Sequence, residues 1–208
     1  DAGNYFDAVV ALDRMTGGVK WATTVIPFDS FNAACIPPFD ELNPENCPNP
    51  EGPDFDFGQA PILYQVKENG TKLDLLGIGQ KSGQFWALDP DNGSIVWSTQ
   101  VSPGGVAGGM MWGSAYDGER LYTSSANSEA KQWLLQNGSG TIVTSGVWSA
   151  LDPATGEILW QTANPTVAQA GGAVTVANGV VYACSMDAAG HMYALDAGSG
   201  ATLWDFAS

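Results

Sequence analysis

One phrase of eleven residues occurs four times in the chain: Ala11-Leu12-Asp13 followed by Gly17 and Trp21, then Ala87 to Trp97, Ala150 to Trp160 and Ala194 to Trp204. Each copy keeps Ala-Leu-Asp, a Gly four residues after the Asp and a Trp four residues after the Gly. A phrase repeated at this length means one supersecondary unit used several times, which constrains the fold more than composition does. Half of the eight tryptophans, Trp21, Trp97, Trp160 and Trp204, stand at its last position. They are expected to be structural, docking one unit onto the next with the indole N–H bonded to a neighbouring backbone carbonyl.

The phrase reads as strand, tight turn, strand. Val9 to Leu12 suit a strand, and Asp13 to Gly17 is turn chemistry: the carboxylate accepts from backbone amides two or three residues on, and glycine supplies a positive φ. The phrase aspartates stand at 13, 89, 152 and 196, so the intervals are 76, 63 and 44 residues. The last interval holds four strand candidates, 172–176, 180–185, 191–195 and 201–206. Four strands in that length make one propeller blade, a sheet that buries both faces against its neighbours. The expected fold is therefore all-β: a single propeller domain over 1–208, with blade units at about 1–26, 59–100, 101–162 and 163–208. The longer intervals are explained by a Cys-bounded insertion at 27–58 and a second at 127–146. This is about three and a half blades, and closed rings need at least four and commonly six to eight. Missing sequence or another chain is expected to supply the rest.

Composition excludes more than it assigns. A net charge of −15 with seven Lys and Arg speaks against nucleic acid. No run of residues is long and apolar enough for a membrane span. Cys35 and Cys47 flank a Pro- and Asn-rich loop and are expected to pair, leaving Cys184 as a buried free thiol in a strand. Such a disulfide, with sequons at Asn69, Asn92 and Asn137, points to a secreted, extracellular or periplasmic location. His191 stands alone as the one histidine, which makes a zinc site or a Ser-His-Asp triad unlikely chemistry for this chain. Gly104 to Gly109 is glycine-rich but lacks the Gly-Lys-Ser/Thr ending of a phosphate loop.

The phrase Ala-x-Asp-x-x-Thr-Gly-x-x-x-Trp resembles the tryptophan-docking motif of the eight-bladed quinoprotein alcohol dehydrogenases, especially their polyvinyl-alcohol-dehydrogenase-like branch. That branch is similar in Asp54-Phe-Asp-Phe-Gly-Gln-Ala-Pro61, in Gln80-Lys-Ser-Gly-Gln-Phe-Trp-Ala-Leu-Asp89 and in Pro103-Gly-Gly-Val-Ala-Gly-Gly-Met-Met-Trp-Gly113. The resemblance implies pyrroloquinoline quinone and calcium as cofactors, an alcohol or polyol as substrate and an external electron acceptor, with hydride passing to the quinone.

Carried over residue by residue, Asp56 matches the family's aspartate beside calcium, proposed to take the alcohol's proton; Phe55 replaces the usual Trp before it. A carboxylate can ligate a hard cation and act as a base, and Asp54 is expected on the same side of an extended segment. Lys81 matches the cation that reaches the quinone oxygens, where it would stabilise developing negative charge. Trp112 matches an aromatic at the quinone pocket, with Gly104, Gly105, Gly108 and Gly109 expected to let backbone approach a flat cofactor. Met111 stands where many family members carry a cofactor-binding Asn. Asn4 is read as a loop residue rather than a calcium ligand. Two readings follow: an extracytoplasmic quinone-dependent oxidoreductase, or a secreted propeller that kept the ring as a scaffold or binding module and lost the cofactor.

Overall fold

The computed structural model describes residues 5–68 and 70–208, Glu68 by its backbone alone; Asn4 and the Asn69 sequon lie outside the described residues. Strands β1 (Ala8–Leu12) and β2 (Val19–Thr24) form a two-stranded sheet. A four-stranded antiparallel sheet follows, of β3 (Ile62–Glu68), β4 (Thr71–Gly79), β5 (Gln84–Leu88) and β6 (Ile95–Gln100). The next comprises β7 (Ala115–Tyr116), β8 (Leu121–Ser125), β11 (Val147–Leu151) and β12 (Ile158–Ala163), interrupted by a small hairpin of β9 (Trp133–Leu134) and β10 (Ile142–Val143). The last has β13 (Thr175–Ala177), β14 (Val180–Cys184), β15 (Met192–Asp196) and β16 (Thr202–Phe206). Among the described residues there is one short α-helix, α1 (Phe39–Leu42), between β2 and β3.

The repeated phrase folds the same way each time. Ala11, Ala87, Ala150 and Ala194 pair directly with Trp21, Trp97, Trp160 and Trp204, and the register shifts by one residue at the following Leu. A small residue opposite each indole leaves room for the ring, and the bulge adds local twist. In the first copy, Asp13 Oδ1 accepts from Met15 N and Thr16 N, while Gly17 N donates to Asp13 O at 2.8 Å. Asp152 repeats the pattern with Ala154 N and Thr155 N.

Each docking Trp reaches the turn of the next phrase. Trp21 Nε1 donates to Pro90 O at 2.9 Å, Trp97 Nε1 to Pro153 O at 3.2 Å and Trp160 Nε1 to Ala197 O at 3.0 Å. Two residues on, Thr23, Thr99 and Thr162 donate to the carbonyls of Gly93, Gly156 and Gly200. Trp204 has no following phrase to meet within the chain and is 45% exposed. The apolar cores lie between consecutive sheets: Val9, Ile78 and Leu88 at the first junction, Tyr64, Leu75, Phe85, Leu121 and Leu151 at the second, and Tyr122, Trp148, Trp160, Val181 and Leu195 at the third. The two middle sheets thus bury both faces, as a propeller blade does, while the outer face of the last sheet, with Leu203, Trp204 and Phe206, stays exposed.

Two details differ from the sequence expectations. The strand placed at 172–176 begins only at Thr175, because Val174 N bonds Gly113 O of the preceding sheet instead of continuing its own ladder. Cys184 is a free thiol in a strand, but half-buried rather than buried, since β14 alternates partly covered and covered positions. Cys35 and Cys47 form a disulfide that closes the loop around α1. Among the described residues no helix is long and apolar enough to cross a membrane.

Candidate functional site

The turn between β4 and β5 carries Lys81, and the end of the Cys-bounded insertion and the glycine-rich segment 103–113 converge on it. Gly83 N closes the turn on Gln80 O at 3.0 Å, with φ +80° at Gly83. On one side Lys81 N donates to Asp56 O at 3.0 Å; on the other, Lys81 O accepts from Gly105 N at 3.2 Å and Gly109 N at 2.9 Å. Met110 N adds a bond to Gln80 O at 3.1 Å. The three local motifs of the sequence are therefore stitched together through backbone.

The glycines in this segment do something other than expected. A Cβ on Gly104 would lie 2.7 Å from Ser82 O, and one on Gly109 would lie 2.6 Å from Lys81 O. A Cβ on Gly108, where φ is +117°, would lie 2.9 Å from Met111 Sδ, and one on Gly105 would strike the Ser128 hydroxyl. The room they give is filled by the protein itself, and what it achieves is a clamped Lys81 turn.

Lys81 is nearly buried, and its ammonium donates to Asp54 Oδ2 at 2.9 Å and to Asp56 Oδ2 at 2.6 Å. The two carboxylates do meet one partner, but not from an extended segment: Asp54 has a left-handed φ of +58°, which turns the chain between them. Burial pulls the lysine's pKa down, yet bonds to both carboxylates and their charges outweigh it and raise it. For Asp56, burial is outweighed by the bonds from Lys81 and Asp7, and its carboxyl is held below the usual value. Asp54 has the longer bond and the more covered side chain, so burial wins there and its pKa rises despite the lysine. The outcome is an ionised Asp56 with a side chain 53% exposed, acceptor-only and open to a ligand.

Two aspartates that the sequence did not single out complete the cluster. Asp7, at φ +41°, bonds Asp56; burial first, then that bond and the charges of Asp56, Asp29 and Asp54, push its pKa up to about 7. Asp29 opens the insertion and accepts from Phe31 N and Phe55 N, both at 3.0 Å, so it fixes the strand of chain that bears Asp54 and Asp56. The signal for Asp29 was an Asp-x-Phe turn at the insertion's start; nothing local marked Asp7.

Met111, the neighbour of Trp112, packs on the segment after Asp56, where a Cβ on Gly58 would contact Met111 Cα at 3.4 Å, but the Trp112 indole itself points to Gly171, whose Cβ would stand 3.6 Å from Nε1. Trp112 is 57% exposed, unusually open for tryptophan. His191 belongs elsewhere, with Nδ1 2.8 Å from Asp187 Oδ1 and its ring stacked on Tyr193. The sequon amides of Asn92 and Asn137 are exposed and bonded, to Asp89 Oδ2 at 2.8 Å and Gln161 O at 3.1 Å.

The residues present fit the groups the resemblance implies. Two carboxylates, Asp54 and Asp56, share one lysine, and the charges of Asp56, Asp29 and Asp54 help push Asp7 up to about 7, a surplus of negative charge that a divalent cation would neutralise. The exposed Trp112 indole offers an open face for a flat ring.

The PQQ_2 family model, described as outer membrane protein assembly factor BamB, matches residues 81–208. A polyvinylalcohol dehydrogenase of a Pseudomonas species is 35% identical over 205 residues, covering 96% of this chain and 30% of the relative. Another from Sphingopyxis sp. (strain 113P3) is 36% identical over 213 residues, with the same coverage of both. The chain thus spans 30% of the length of these relatives. The crystal structure of quinohemoprotein alcohol dehydrogenase from Comamonas testosteroni superposes with a TM-score of 0.70 at 19% identity, over 98% of this chain and 35% of that one, a likeness of fold. With the family model matching more than half of its residues, the chain belongs to the PQQ_2 repeat family of β-propellers and is similar there to the polyvinylalcohol dehydrogenases.

Proposed function

We propose that the protein is an extracytoplasmic oxidoreductase that oxidises an alcohol or polyol hydroxyl with pyrroloquinoline quinone and calcium. The observation that carries this reading is the Lys81 ammonium bridging Asp54 and Asp56. When bound, the quinone supplies the two-electron acceptor and calcium a polarising charge. Asp56 and Asp7 would hold the cation, Lys81 would meet the cofactor's oxygens, and Trp112 would offer its ring an aromatic face.

Asp56 accepts the substrate hydroxyl's hydrogen bond and then its proton. As a half-exposed ionised carboxylate it is accessible, and Lys81 keeps it ionised. Lys81 also fixes the orientation of Asp56, since its backbone is clamped on both sides by the Asp56 and Gly109 segments. Preorganised charge of this kind needs no rearrangement during reaction. The disulfide supports an oxidising compartment, and the identity to polyvinylalcohol dehydrogenases supports the substrate class.

The test is reconstitution of the full-length protein with pyrroloquinoline quinone and calcium, followed by dye reduction with simple alcohols and polyols. Asp56→Asn should lower turnover by roughly 10²–10⁴, the range of positioned acid–base catalysis. Absence of quinone absorbance and of activity at saturating cofactor would overturn the proposal in favour of a scaffold.

A further inference from the structure

The hairpin β9–β10 leans over an open cleft of about 850 Å³ between the edge strands β6 and β12. Its lining includes Thr99 and Gln100 of β6, Trp133 and Gln136 of the hairpin, and Thr155 and Glu157 of the third docking turn. The hairpin is anchored by one buried side chain, Gln161. Its Oε1 accepts from Trp133 Nε1 at 3.2 Å and Gln136 N at 2.8 Å, and its backbone oxygen accepts from Asn137 Nδ2 at 3.1 Å. Gln161 is itself 4% exposed and donates through Nε2 to Val101 O at 2.8 Å and Ser149 Oγ at 2.9 Å. Trp133 is therefore held in place before any ligand arrives.

The hydrogen-bonding balance of the lining is one-sided. Gln100 Nε2 is used on Ser82 O and Ser102 O, and Gln136 Nε2 on Leu134 O. The hydroxyl of Thr99 donates to Gly156 O, and that of Thr155 to Asp152 Oδ1. What remains, beside one N–H of Gln136, are acceptors: Oε1 of Gln100, Oε1 of Gln136 and the Glu157 carboxylate. No Lys, Arg or His lines the cleft. An anion has no cation to bind, so a fitting ligand must donate hydrogen bonds and offer CH groups to an indole.

We infer that this cleft is a second binding site, taking a neutral chain of hydroxyl groups and holding it apart from the carboxylate–lysine cluster. This rests on the reading of the protein as an oxidoreductase of alcohols. The Gln100 amide bonds the carbonyl of Ser82, the neighbour of Lys81, so a long polyol seated here lies close to the proposed reaction site. The cleft raises the local concentration of a polymeric substrate and adds nothing for a small alcohol.

The test uses the full-length holoenzyme with a vinyl alcohol oligomer, a glucan oligosaccharide of similar length and spermidine as probes, followed by tryptophan fluorescence and calorimetry. Binding of either hydroxylated chain, weakened roughly tenfold by Trp133→Ala, is expected; the oligomer that binds identifies the source of the polyol. Gln136→Leu removes an exposed amide and its one bond to Leu134 O but leaves the backbone bond to Gln161 that anchors the hairpin, so it should weaken binding several-fold even if Trp133→Ala misfolds. In turnover, KM for the polymer should rise while kcat and the small-alcohol kcat/KM stay put. Binding equal to wild type in both variants, or spermidine binding in place of both oligomers, would overturn the inference. Failure to oxidise any alcohol, with Trp133-dependent oligomer binding intact, would instead sink the enzymatic reading and leave the site standing.

Discussion

Gly200→Ala against Gly179→Ala isolates the contribution of a docking contact. Both glycines lie in turns of the last sheet with nearly the same backbone, φ +70° and +75°. An alanine at either position carries the left-handed penalty of about 1–2 kcal/mol, which cancels in the comparison. At Gly179 an added Cβ meets nothing within 4 Å; at Gly200 it would lie 2.5 Å from Trp160 Cε3 and 2.7 Å from Thr162 Oγ1. Trp160 is 5% exposed and packed with Tyr122, so its ring has no solvent to retreat into. Overpacking in such a place costs roughly 1–3 kcal/mol, and displacement of the ring strains the bond from Nε1 to Ala197 O, worth about 1 kcal/mol. Gly200→Ala should therefore be about 2–4 kcal/mol less stable than Gly179→Ala. Equilibrium urea denaturation measures this as a difference in midpoint at constant slope. Two variants within about 0.5 kcal/mol of each other would refute the claim that these glycines exist to receive the indole.

In calcium-free protein, Asp7 retains a proton in the folded state up to about pH 7 that the unfolded chain releases in the ordinary Asp range. The fold therefore loses stability as pH rises from about 4 through 7, and Asp7→Asn should flatten that slope in thermal melts between pH 5 and 8; an unchanged slope refutes the assignment. Lys81→Met leaves a largely covered Asp54 and a half-exposed Asp56 without their shared cation and should cost about 1–2 kcal/mol at pH 8, less than a fully buried pair, and less again at pH 5, as read by chemical denaturation at the two pH values. Replacing Cys35 and Cys47 by serine opens a loop of sequence separation 12 and should cost about 2–3 kcal/mol, with faster hydrogen exchange in 29–58 and no change in β14 and β15.

The ring was legible in the sequence because it repeats. Ala-Leu-Asp, Gly and Trp each meet a fixed partner at a fixed offset, so the same contact is written three times between Trp21 and Ala197. The disulfide could be read for the same local reason: two cysteines closing one short loop. The strand at 172–176 could not, because its start is decided by a bond from Val174 to Gly113 in another sheet. Asp54, Asp56 and Lys81 were reached through motif resemblance. Asp7 joins them only across a sheet junction, and a lone aspartate before a strand carries no signal of that.

Gln161 was missed although a signal existed. The position after the docking Trp holds Ala22, Ser98, Gln161 and Asp205, so a glutamine there departs from the small or short residues of the other copies. A long amide at a buried position needs partners, and here its oxygen draws two groups of the hairpin, Trp133 Nε1 and Gln136 N, onto β12, beside Asn137 Nδ2 on the backbone oxygen. The same holds at the cluster, where both insertions break the blade period and their ends are tied back through Asp29 and Gly109. In a repeat fold the identical positions are consumed by docking one sheet to the next. Chemistry is left to residues at which one copy differs from the others, and for those a sequence provides the address while only the packing provides the partner.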